Sequence, residues 1–106
     1  MTAPSIGIIG TGNMGRIHAR VLKSMRTLAA VTDTDVERAK QIAVAYNVEA
    51  YSDYTEMIKT AKLDAVVIST PTSTHASIAE DIAKNFDTVK AILIEKPLAS
   101  TLKDAQ

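Results

Sequence analysis

Residues 5–18 read SIGIIGTGNMGRIH and contain every glycine of the 106-residue chain: Gly7, Gly10, Gly12 and Gly15. Ordering a glycine costs more backbone entropy than ordering any other residue. Gathering all of them in one stretch therefore implies a backbone that turns sharply or approaches something closely. Residues about 5–9, SIGII, form a short β-branched run that ends in glycine and reads as a buried strand. From about Asn13 to Met25, residues Met14, Ile17, Val21, Leu22 and Met25 recur at helical spacing. Gly10-Thr11-Gly12-Asn13-Met14-Gly15 is thus a G-x-G-x-x-G set between a strand and a helix, the context in which that pattern signifies dinucleotide binding. Gly10 permits the turn out of the strand, Gly12 admits a pyrophosphate against the backbone, and Gly15 lets helix and sheet pack closely. The helix's first N–H groups and the positive end of its dipole then face the phosphates. Gly7, inside the strand, lies outside the pattern.

A rival phosphate loop, G-x-x-x-x-G-K-[ST], shares the Gly10 to Gly15 spacing but fails at Arg16 and Ile17, so triphosphate hydrolysis is disfavoured. The dinucleotide pattern calls for an acidic residue about 20 positions on, at the end of the second strand. Asp33 stands there, an acceptor for the adenosine ribose hydroxyls. It would repel a 2′-phosphate, and Thr34 and Asp35 follow it rather than an arginine, so NAD is favoured over NADP.

Onward from the glycine loop, strands and helices alternate. LAAVTD (28–33) is a strand, and TDVE (34–37) forms a capping box with Thr34 as N-cap and Glu37 three residues on. The helix it opens carries Val36, Ala39, Ile42, Ala43 and Tyr46 on one face. A short strand near Glu49–Tyr51 and an N-cap at Ser52 lead to a helix ending near Lys62. DAVVIST (64–70) is a strand stopped by Pro71, STHASIAEDIAKNF (73–86) an amphipathic helix, and KAILIE (90–95) a fifth strand before Pro97. Strands that are apolar throughout imply a sheet covered on both faces, and helices between them imply right-handed crossovers. The fold class is α/β, a doubly wound parallel sheet of about five strands. The sixth strand of the usual dinucleotide fold is expected to be missing, because a last helix starts near Ser100 and the sequence stops within it.

Composition limits the alternatives. Twelve basic and twelve acidic residues cancel, with no basic block to suggest nucleic acid or an anionic membrane. Cysteine is absent and the two histidines are far apart, which disfavours a metal centre. Apolar residues make up 46% and charged ones 23%, as in a globular domain, with no apolar run long enough to span a bilayer. A cytoplasmic domain is the expectation.

The strand ends STPTSTH (69–75) and EKPLAS (95–100), together with GIIGTGNMGRIHARVL, VTDTDVERAKQIA and YSDY, closely resemble the Gfo/Idh/MocA oxidoreductase family over nearly the whole chain. The resemblance implies that Ser69, Thr70 and Pro71 lie along the ribose and nicotinamide side of the cofactor, with Glu95 beside the nicotinamide ribose. It implies that Lys96 reaches nicotinamide and substrate as the catalytic residue, and that Pro97 sets the turn presenting Glu95 and Lys96. His75 matches a histidine beside the same cleft, although its place at a helix start equally suits packing or capping. His18 reads as structural. The family's usual general acid/base is a histidine of a second, substrate-binding domain, which neither histidine here matches. A glycine-containing turn usual before the fifth strand is replaced by KNFDTVKAI.

The resemblance thus implies residues 1–106 as a truncated dinucleotide-binding domain without its substrate domain. Its parent would transfer hydride between nicotinamide and a hydroxyl-bearing small molecule such as a sugar or cyclitol, while this chain alone would be inactive. A free-standing nucleotide-binding module, regulatory or redox-sensing, is the alternative. KAILIE as an exposed sheet edge suggests a homo-oligomer.

Overall fold

A computed structural model describes residues 4–70 and 72–94. Strands β1 (Ile6–Ile9), β2 (Leu28–Thr32), β3 (Glu49–Tyr51), β4 (Ala65–Ile68) and β5 (Ala91–Ile94) alternate with helices α1 (Asn13–Ser24), α2 (Val36–Tyr46), α3 (Tyr54–Ala61) and α4 (Thr72–Asn85). The strands form one parallel sheet in the order β3-β2-β1-β4-β5. The expected doubly wound architecture and all five strands are therefore present; the helix expected from Ser100 lies outside the described residues.

Register divides the core into two layers. Ile8 pairs with Val31 on one side and Val67 on the other, and these three pack with Ala19 of α1 and Ala39, Ile42 and Ala43 of α2. Ile9, Ala30, Val66 and Ile68 point to the opposite face, against Met57 and Ile58 of α3 and Ile82 of α4. Each fully buried Ile or Leu contributes roughly 1.5–3 kcal/mol relative to exposure, so both layers are needed to hold so small a domain together. Tyr54 of α3 donates its hydroxyl to Asp81 of α4, and Asn85 Nδ2 donates to the other carboxylate oxygen at 2.7 Å. Burial and the Asp81 carboxylate push the Tyr54 hydroxyl up to about 12, so this link between helices persists through neutral pH.

Three local expectations are corrected. The apolar stripe of α1 is not its buried face: Met14, Ile17, Val21 and Met25 are exposed, and only Leu22 is half-buried. The helix instead turns Gly15 and Ala19 to the sheet, because only small residues permit the close approach needed there. The N-cap of α2 is Asp35, whose side chain accepts from Arg38 N, rather than Thr34. Likewise Asp53 caps α3 by accepting from Thr55 N at 2.8 Å, not Ser52. In both Thr-Asp and Ser-Asp pairs the carboxylate takes the cap, and a charged acceptor at a helix N-terminus gains from the dipole as well.

Gly7 acquires a role. A Cβ on it would lie 2.5 Å from Leu63 Cδ1 and 3.0 Å from Met57 Cε, so its missing side chain is the space these two fill on β1. With every glycine committed to β1, the loop after it and the first turn of α1, left-handed backbone elsewhere falls to other residues. Arg26, Asn47 and Lys62 adopt φ of 61°, 55° and 53°, each following a helix, at a cost of roughly 1–2 kcal/mol for a residue bearing a Cβ.

Candidate functional site

The site grows from the turn at the end of β1. Gly10 has φ +101°, a backbone state that disfavours any side chain, and its N–H donates to Thr32 O of β2 at 2.8 Å. A Cβ there would sit 2.7 Å from Ser69 O, so the turn lies directly on the chain leaving β4. A Cβ on Gly15 would come within 2.1 Å of Gly10 O. These two glycines are thus demanded by the fold itself.

Gly12 is different. A Cβ built on it meets nothing within 4 Å, and its φ of −70° is open to any residue. It is the N-cap of α1, makes no side-chain cap bond, and no acidic residue stands in the first turn of that helix. Helices α2 and α3 have Asp35 and Glu37, and Asp53 and Glu56, at the same places. The loop therefore exposes the positive end of α1 to open space without a carboxylate of its own to satisfy it, which suits an incoming phosphate.

Asp33, buried at the end of β2, ties this loop to α2. Its Oδ2 accepts from Thr11 N at 2.6 Å and Thr11 Oγ1 at 2.8 Å, and its Oδ1 accepts from Asp35 N at 2.8 Å. Thr11 is itself fully buried, its hydroxyl spent on this carboxylate. Arg38 of α2 then forks onto both oxygens, with Nε 3.2 Å from Oδ2 and Nη2 3.0 and 3.1 Å from Oδ2 and Oδ1. Burial raises the Asp33 pKa, but the bonds from Asp35, Thr11 and Arg38 together outweigh it and hold the carboxyl below its ordinary 3.8. The sequence reading, looking only at Thr34 and Asp35, missed this arginine. A signal was present: side chains on a helix lean toward its N-terminus, so a residue in the first turn of α2 reaches back to the strand end that precedes it.

Gly10, Thr11, Gly12, Met14, Gly15, Asp33, Ser69 and Thr70 thus converge at the carboxyl ends of β1, β2 and β4, where the strand order reverses direction, the position at which open α/β sheets bind ligands. Met14 is exposed at this end, Ser69 and Thr70 are half-buried, and His18 is half-buried on α1. Pro71, Glu95 and Lys96, and the side chains of Asn13 and His75, lie outside the described residues. A groove of about 690 Å³ lined by Ile58, Lys62, Leu63, Phe86 and Lys90 opens at the other end of the sheet, before β4 and β5, far from the glycine loop. Among the described residues no cluster of His, Asp or Glu could hold a metal ion, and no helix is long and apolar enough to cross a membrane.

Comparison with known proteins agrees with this geometry. Residues 5–106 match the family model of an oxidoreductase family with an NAD-binding Rossmann fold. The chain is 36% identical over 105 residues to an inositol 2-dehydrogenase of Rubrobacter xylanophilus, covering 96% of this chain and 29% of that protein. It is 37% identical over 99 residues to a UDP-N-acetylglucosamine 3-dehydrogenase of Acidithiobacillus ferrooxidans, covering 93% and 30%. The crystal structure of a myo-inositol dehydrogenase from Lactobacillus casei, in complex with NAD(H) and myo-inositol, superposes with a TM-score of 0.75 at 35% identity, covering 98% of this chain and 31% of that one. The chain spans about three-tenths of the length of these relatives.

Proposed function

The chain belongs to the Gfo/Idh/MocA oxidoreductase family as an NAD-binding Rossmann domain, and from that premise we propose that it is the dinucleotide-binding part of a dehydrogenase acting on a cyclitol or sugar. Inositol and UDP-N-acetylglucosamine in the names of its relatives support that substrate class. The observation that carries the reading is Gly12, the one fingerprint glycine that nothing within the fold requires.

Bound NAD supplies the nicotinamide ring that accepts or returns the hydride. The protein's part is placement. The backbone of Gly10, Thr11, Gly12, Asn13, Met14 and Gly15, with the start of α1, holds the pyrophosphate; Asp33 accepts from the adenosine ribose, favouring NAD over NADP. Ser69, Thr70, Pro71, His75 and Glu95 line the ribose and nicotinamide side. Lys96 is the catalytic residue, its ammonium orienting the substrate hydroxyl and stabilising negative charge that develops on that oxygen. Calorimetric titration of the chain with NAD tests the reading: saturable one-to-one binding is expected, and no heat of binding at millimolar NAD would overturn it.

The same reading places the protein in the cytoplasm as a homo-oligomer. Two observations support the second part: β5 is the terminal strand of the sheet among the described residues, and Leu93 on one of its faces is 58% exposed, apolar surface that a second copy would cover. Light scattering is expected to give at least a dimer mass, which Leu93→Lys lowers to the monomer; a monomeric wild type at high concentration would contradict it.

A further inference from the structure

The loop KNFDTVKAI (84–92), which leads from α4 into β5, has no part in the proposed function. It forms one wall of the groove of about 690 Å³ at the end of the sheet remote from the glycine loop. Small-molecule sites commonly measure roughly 300–1,000 Å³. The base of the groove is apolar: Ile58 of α3 and Leu63 are each 1% exposed, and Phe86, the chain's single phenylalanine, packs half-buried against the same core layer. Its walls are pinned through the backbone. Lys90 N donates to Asp64 O at 2.7 Å, Asp64 N to Ser5 O at 2.8 Å, and Val89 N to Phe86 O at 3.2 Å.

Charge around the groove is uneven. Lys59, Lys62 and Lys90 line it, and their ammonium groups make no hydrogen bond or ion pair among the described residues. Asp64 and Asp87 supply the opposite charge, and Asp64 already spends Oδ2 on Ser5 N at 2.8 Å. Three ammonium groups therefore face two carboxylates, which leaves one positive charge in excess. Lysine stems are themselves apolar, so the charges ring a hydrophobic hollow. A cation in the last turn of a helix offsets its dipole, which gives Lys59 of α3 a second task. Lys90, which leads into β5, stands in no helix.

We propose that this groove is a second small-molecule site, one that takes an amphipathic monoanion: an aromatic ring system bearing a single carboxylate. The ring lies against Phe86, where offset stacking adds to the burial of apolar surface. The carboxylate meets the lysine ammonium groups at the rim and neutralises the excess charge. The groove lies where β4 begins and the glycine loop where β4 ends, so a ligand here and one at the loop do not compete. The site stands on its own residues, whatever the glycine loop binds.

Amide chemical-shift titration of the full chain tests the site with three probes. Naphthoate carries both ring and charge, naphthalenemethanol the ring alone, and acetate the charge alone. Naphthoate is expected to shift the amides of Lys62, Leu63, Phe86, Asp87 and Lys90 saturably and to leave those of Gly10, Gly12 and Gly15 in place. Naphthalenemethanol is expected at the same amides but more weakly, and acetate at none of them. Lys62→Gln and Lys90→Gln, both at exposed positions, are each expected to weaken naphthoate about threefold and to leave naphthalenemethanol unchanged. Phe86→Leu, which keeps most of the packing volume, is expected to weaken both aromatic probes. Salt is expected to weaken naphthoate alone. Naphthoate bound no better than naphthalenemethanol, shifts confined to the exposed stripe of α1, or lysine variants equal to wild type for naphthoate would each overturn the inference.

Discussion

Replacing Gly15 with alanine is expected to lower the melting temperature by 10 °C or more, although alanine is the better helix former. The propensity gain is about 1 kcal/mol. Against it stands a Cβ placed 2.1 Å from Gly10 O and 2.9 Å from Gly10 C, both backbone atoms. Gly10 cannot retreat, because its N–H is bonded to Thr32 O and its other side lies on Ser69. Overpacking against rigid atoms costs roughly 1–3 kcal/mol or more, and here the rigid atoms belong to the turn that joins three strands. A net loss of about 2 kcal/mol or more corresponds to roughly 10–15 °C in a domain of this size. Thermal unfolding followed by circular dichroism reads the effect; a melting temperature equal to or above wild type would show that α1 can shift away from the sheet.

The second large effect is expected from Asp33→Asn. The amide keeps the shape but replaces one acceptor oxygen with a donor. Thr11 N and Thr11 Oγ1 converge on one carboxylate oxygen and Asp35 N on the other, so either orientation sets a donor against a backbone donor in a buried place. Arg38 loses its counter-charge at the same time. Leaving such groups unpaired costs about 3 kcal/mol in urea unfolding at neutral pH. The pH dependence has a definite sign. Asp33 is held below its ordinary 3.8 in the fold, so its contribution is complete above that value and is lost as pH falls through the lower folded value. The stability gap between wild type and Asp33→Asn is therefore expected to be constant from pH 5 to 8 and to narrow below pH 4. A gap under about 0.5 kcal/mol at pH 7, or one that widens in acid, would contradict this role.

The frame of the molecule was legible because its strands are apolar runs closed by glycine, aspartate or proline, and its helices repeat at 3.6 residues. The parallel, doubly wound sheet followed from apolar strands separated by helices, and the fingerprint loop from spacing. What escaped notice depended on distances that pattern does not encode. The exposed stripe of α1 was indistinguishable in sequence from a core face, since periodicity marks a helix without saying which flank the sheet takes. Thr34 and Ser52 were sound capping residues that lost to an aspartate one position on, a competition settled by local geometry. Gly7 had no role until Leu63 and Met57 were seen filling its place. Arg38 was overlooked because its contact with Asp33 depends on where α2 begins and how its first turn leans.

Gly12 separates folding from binding more cleanly than any other residue of the loop. Its φ of −70° suits any side chain and a Cβ there meets no atom of the chain, so Gly12→Val is expected to melt within a few degrees of wild type. The same side chain would stand where the pyrophosphate approaches the start of α1. Calorimetric titration with NAD is therefore expected to show binding by wild type and a loss of tenfold or more, at least about 1.4 kcal/mol, in folded Gly12→Val. Equal affinity in the two folded proteins, or no binding by either, would contradict the assignment of this loop to the dinucleotide.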